Sequence, residues 1–111
     1  MNEIYEILND MFQEVPESVR YWSTITDYTM NEDEDVSKWT LQDTESGEGK
    51  SYKIDFSAFY EAWKQMHLKA VDEDLPNYQQ RIVMAVMSQD YDAEIVDMLV
   101  QHTLFNTLVY G

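Results

Sequence analysis

The sequence predicts an α+β protein, a small antiparallel three-stranded meander with about four helices packed on one face. Three observations lead there. Apolar residues recur at helical spacing over residues 4–15 and again beyond residue 55. Between residues 21 and 56 polar and apolar side chains alternate instead, interrupted by an acidic run and a glycine-containing turn. The chain has 111 residues, 44% apolar and 14% aromatic, which suffices for one core, so residues 1–111 are read as a single acidic domain.

Asn2 to about Glu14 reads as an amphipathic helix. Ile4, Leu8, Met11 and Val15 form its stripe, with Tyr5 and Phe12 beside it. Glu3, Glu6, Asp10 and Glu14 occupy the opposite side. Glu6, Asp10 and Glu14 are each four apart, stacking carboxylates at intervals of about 6 Å against a repulsion of a few tenths of a kcal/mol per pair. Pro16 is expected to end this helix.

Tyr21 to Met30, rich in Thr, Ile and aromatics, reads as the first strand. A second helix starting at Pro16 and using Val19, Trp22 and Ile25 is the alternative. Asn31 to Asp35 is an acidic loop. Lys38 to Gln42 and Ser51 to Phe56 alternate as strands around the turn Ser46-Gly47-Glu48-Gly49.

Asp55 or Ser57 caps a helix running to about Val71, with Phe56, Phe59, Tyr60, Trp63, Met66, Ala70 and Val71 on its apolar side. Asn77 followed by Gln80 fits a capping box for a helix to about Met87. Asp90 or Asp92 starts the last helix, which runs roughly to Thr107. It is apolar nearly all round from Ile95 to Leu108, so it is expected to be central and buried.

The charge is the strongest functional signal. Twenty-two acids against seven bases give a formal net charge of −15. Residues 1–35 carry ten acids and only Arg20, residues 36–71 balance five acids with five lysines, and residues 72–111 carry seven acids and Arg81. Such a surface repels nucleic acid and anionic membranes. The absence of cysteine excludes disulfides and Cys-ligated metal. Neither a basic-then-apolar leader nor a long apolar run is found, so a cytoplasmic setting is expected.

Motifs for chemistry are missing. Asn31 to Asp35 fails as a calcium loop, because Val36 stands where glycine is needed and Gln42 where the closing acid is needed. Asp90-x-Asp92-x-Glu94 fails likewise and suits a helix start. His67 and His102 have no partner at metal-ligand spacing. Asp97 and Gln101, four apart on the apolar last helix, form either a narrow wet stripe or a buried pair reaching Tyr21 or the Trp22 indole. With no nucleophile, phosphate loop or histidine dyad, no enzyme activity, cofactor or metal is expected.

The Tyr21-Trp22 pair, the meander leading into a Trp-bearing helix, and the ending Asp97-x-x-x-Gln101-x-x-Leu104-Phe105-x-x-x-Val109-Tyr110-Gly111 resemble a family of small uncharacterised phage and prophage proteins. These finish on a similar Leu-Phe-Gly…Val-Tyr-Gly tail, and Asn106 stands here where glycine is expected. The resemblance implies a phage origin and the host cytoplasm, and no activity.

The expected function is therefore that of an acidic inhibitor. It would act as a nucleic-acid mimic that blocks a basic host DNA- or RNA-handling protein in evasion of host defence. Glu3, Glu6, Asp10, Glu14, Glu32, Asp33, Glu34 and Asp35 are its partner-binding residues. A nucleotide-sequestering protein using Arg20, Lys38, Lys50 and Lys53 is the alternative, as is a phage assembly accessory. A homodimer is compatible with the exposed tyrosines that the count of eight implies.

Overall fold

The computed structural model describes residues 3–111. Its elements are α1 (Glu3–Gln13), α2 (Val15–Ser18), β1 (Ser23–Met30), β2 (Val36–Asp43), β3 (Ser51–Asp55), α3 (Phe56–Lys69), α4 (Asn77–Met87) and α5 (Ala93–Phe105). The strands form an antiparallel meander in the order β1-β2-β3, the α+β architecture predicted. Among the described residues no helix is long and apolar enough to cross a membrane.

The period of two decides the sheet's faces. Trp39 lies opposite Ile54, and Leu41 is flanked by Ile25 and Tyr52. Trp39, Leu41 and Ile54 are buried, while the alternating Thr40, Gln42 and Lys53 turn to the other side. Onto the apolar face pack Leu8, Met11 and Phe12 of α1 and Phe59, Trp63 and Met66 of α3. Phe12 is the hub, its ring 5.2 Å from Phe59, 5.6 Å from Phe56 and 6.4 Å from Trp39. The Trp39 indole donates to the Phe12 carbonyl at 2.9 Å, so the tryptophan enters the core without stranding its N–H. In α5 every residue from Ile95 to Gln101 is buried. No side of that helix reaches water over two turns, which matches its apolar sequence.

Local rules explain most boundaries and a few departures. Asp55 caps α3 by accepting from the Ala58 N–H at 2.8 Å, and Asp92 caps α5 through the Ile95 N–H at 3.1 Å. Pro16 does not end α1. That helix stops at Gln13, and Pro16 sits in the first turn of α2, where its missing N–H leaves no bond unmade. The first strand begins at Ser23 rather than Tyr21, because Trp22 and Ser23 N–H groups both bond to Val19 and close the preceding turn. The third strand ends at Asp55, where capping takes over. α3 stops at Lys69, leaving Ala70 and Val71 exposed instead of on an apolar face. The expected capping box on α4 does not form. Pro76 takes the cap position and its carbonyl accepts from the Gln79 and Gln80 N–H groups, while the Gln80 amide donates to the Leu75 carbonyl. α5 ends at Phe105 because Asn106 adopts a left-handed φ of 62°, so Thr107 and Leu108 lie beyond the helix.

Candidate functional site

Two sets of carboxylates stand out, one inside the protein and one outside. Asp97 is buried on α5 and accepts from the Tyr21 hydroxyl at 2.5 Å, the Trp22 indole at 2.8 Å and the Gln101 amide at 3.1 Å. Of the two arrangements open to Asp97 and Gln101, the buried pair is therefore the one adopted. Gln101 uses its other end to hold the C-terminal segment. Its carbonyl accepts from the Val109 and Tyr110 N–H groups at 2.7 and 2.8 Å, and its amide also donates to the Tyr110 carbonyl at 3.1 Å. The Tyr110 ring stacks flat on Trp22 at 4.6 Å, and its hydroxyl donates to Asp43 at 2.8 Å. Asp43 is held well below the usual carboxylate range by the Ser46 hydroxyl and by backbone N–H groups of the same turn. Burial and the Asp97 carboxylate push the Tyr21 phenol up. Phenol, indole and amide donate to Asp97 from within, so this network locks the tail onto the core.

The outer set lies on α1 and the β1–β2 hairpin. Glu3, Glu6 and Asp10 are exposed on the side of α1 away from the core. Glu14 is exposed as well, but lies just past the end of α1, so the expected stack of three on one helix is Glu6 and Asp10 followed by a residue in a turn. The hairpin tip is an Asx turn. The Asn31 side-chain oxygen accepts from the Asp33 and Asp35 N–H groups at 2.9 and 3.1 Å, and Glu34 takes a left-handed φ of 66°. Glu32, Asp33 and Glu34 consequently fan into solvent.

Side-chain bonds join the two acidic segments. The Asn9 amide donates to Asp35 at 3.1 Å, and Gln13 clamps Val36 by accepting from its N–H at 2.8 Å and donating to its carbonyl at 3.0 Å. On the other flank of α1, the loop between α4 and α5 comes close. The Tyr91 hydroxyl donates to Glu14 at 2.6 Å and the Gln89 amide donates to Glu3 at 3.3 Å. Burial and the Glu14 carboxylate push the Tyr91 phenol up. These bonds tie the hairpin tip to one flank of α1 at Asp35 and bring the α4–α5 loop, with Asp90 and Asp92, to the other flank at Glu3 and Glu14. The approach of that loop was not foreseen from the sequence. Only the acids and aromatic of Asp90-Tyr91-Asp92 signalled it, and a helix start accounted for those. The ion pairs among the described residues are Arg20–Glu17, Lys50–Glu48 and Arg81–Glu94, at 3.2, 3.2 and 2.8 Å. None of them neutralises one of the eight predicted residues.

Other candidates separate. Arg20 and Lys50, two of the four cations a nucleotide site would use, are engaged by Glu17 and Glu48. His67 stacks on Trp63 at 4.9 Å, whereas His102 bonds the Tyr78 hydroxyl at 3.0 Å. Burial, helped by Lys69, lowers the His102 pKa. Among the described residues no group of three His, Asp or Glu is arranged to hold a metal ion. Comparison with protein-family models, curated proteins and solved structures finds no match for this chain.

Proposed function

We propose that this protein binds a basic partner protein through the acidic band of α1 and the hairpin tip, acting as a phage-type inhibitor that competes with nucleic acid. The observation that supports the reading is the bonding of the acidic hairpin tip to the acidic helix. Asn9 and Gln13 tie α1 to Asp35 and Val36, and none of the described ion pairs involves Glu3, Glu6, Asp10, Glu14 or Glu32 to Asp35. Carboxylates spaced along a rigid scaffold can occupy a groove that ordinarily binds backbone phosphates. Displacement of the partner's own counter-anions then contributes much of the drive. The phage setting rests on the resemblance of the C-terminal segment and the Tyr21-Trp22 pair.

The test is affinity capture from host lysate at low and then raised salt, followed by competition of DNA or RNA against the captured partner. Capture should weaken steeply as ionic strength rises through the physiological range, where screening reaches about 8 Å. Glu6→Lys with Asp10→Lys should slow association far more than the same reversals at Glu45 and Glu61, which lie outside the band. Equal losses from both pairs would reduce the effect to net charge. A complex that survives molar salt and ignores both pairs would overturn the reading.

A further inference from the structure

Beside the acidic band, the outer face of α4 leaves large apolar side chains in solvent. Met84 is 64% exposed and Met87 49%. Met84 lines two shallow depressions, one on each side of it. The first, of about 250 Å³, lies against Leu75 and Val83 and is rimmed by Glu73 and Asp74. The second, of about 360 Å³, lies against Tyr91 and is rimmed by Asp90 and Asp92. The two depressions share Met84 and flank it across the helix, the first reaching Gln80 and Val83 on one side of α4 and the second Arg81 and Ala85 on the other, so they form one stripe over α4. Acids border it on both flanks, and its one cation, Arg81, is already paired with Glu94 at 2.8 Å.

From this combination we infer that the α4 stripe docks a basic amphipathic helix of the partner protein, with apolar side chains set into the two depressions and Lys or Arg reaching the acidic rims. The inference rests on the basic-partner reading and names the partner's binding element. Two depressions that share one rim residue suit a helix presenting anchors at i, i+3 or i+4. Methionine, unbranched and polarisable, adapts to such anchors. Charge complementarity selects the occupant. A second copy of this chain would bring its own carboxylates against Glu73, Asp74 and Asp90, and nucleic acid would bring phosphates. A basic helix brings the opposite sign to both rims. Tyr91 connects the stripe to the band through Glu14, so one partner can span both surfaces.

The probe is a fluorescent synthetic peptide of about 18 residues, five turns of leucine and lysine in amphipathic order, compared with the same composition scrambled. It is titrated into the full-length protein carrying ¹³C-methyl methionine. The ordered peptide should bind at least about tenfold tighter than the scrambled one, the size of a single interface anchor. The Met84 and Met87 methyl signals should move, while those of buried Met11 and Met66 stay. Met84→Ala should lose about tenfold in affinity with an unchanged melting temperature, since its side chain is largely in solvent. Failure of the ordered peptide to bind overturns the inference. So does equal binding of the two peptides with unmoved Met84 and Met87 signals. If that equal binding still falls with Glu6→Lys and Asp10→Lys, the acidic band stands without the stripe. A Met84-dependent dimer in sedimentation without peptide would assign the stripe to a second copy and overturn the proposed occupant.

Discussion

Asp97 on α5 and Asp10 on α1 are the same side chain on two helices, placed under opposite conditions. Asp97 is buried, and a phenol, an indole and an amide donate to it. Asp10 is exposed, four residues from Glu6, with no described cation against it. A buried carboxylate survives only if donors replace the water it lost, so the surroundings of Asp97 are fixed by that need. Water already solvates Asp10, and its charge can act at a distance on a partner. The interior acid therefore holds the fold together, and the exterior acids carry the candidate function.

The largest break in this contrast comes from placing a new acid inside without donors. Leu99 is fully buried beside Asp97's helix turn. Leu99→Asp should abolish the cooperative thermal transition, because an unpaired buried charge costs several kcal/mol against a total of about 5–15 kcal/mol. A mutant that melts like the parent would show that α5 is not the central element.

Removing the acids one at a time sharpens the comparison. Asp97→Ala strands the buried Trp22 indole N–H at about 1–3 kcal/mol and removes the acceptor shared by Tyr21 and Gln101, which should lower the melting temperature by more than about 5 °C. Asp10→Ala should stay within about 2 °C, the usual range for an exposed site. Similar shifts for both would erase the distinction.

A smaller effect tests the clasp that leads from the Asp97 network to Asp43. Burial first, and then the Asp43 carboxylate, push the Tyr110 phenol up to about 12 from an ordinary 10.0. A raised phenol pKa means that the folded state favours the neutral form. Its contribution is complete below pH 10 and is lost as pH rises toward 12. Melting temperature should fall across that window, and Tyr110→Phe should flatten the decline. A decline of the same size in Tyr110→Phe would assign it to other groups. The smallest expected change is none. Calcium or EDTA should leave the melting temperature in place, since neither Asn31–Asp35 nor Asp90–Glu94 assembles a ligand set among the described residues. A rise of several degrees with calcium would expose a site in the acidic surface, because specific binding to the folded state stabilises it.

What the chain's own order determined is local in its physics. The period of 3.6 identified α1 and α3, and the period of two identified the meander, because each reports which side of an element faces the core, while α4 was read from start signals and α5 from its apolar surface. The caps at Asp55 and Asp92 act over three residues and were legible as candidate pairs with Ser57 and Asp90. The burial of α5 followed from a surface with no polar side to offer water. Departures came where two local signals competed. Pro16 can stop one helix or start the next, and the Pro76 carbonyl took the α4 bonds that an Asn77 cap was expected to organise.

Tertiary structure alone decided which acids were answered and which were free. Whether Asp97 met water or Trp22 depended on a contact between residues 75 apart. The acidic helix and hairpin are joined through an Asn9–Asp35 bond across 26 residues, and Tyr91 reaches Glu14 across 77. Periodicity states that a side chain points outward or inward, but not what the other element presents at that point. That depends on the angle and register at which elements pack, which the whole set of core side chains settles together.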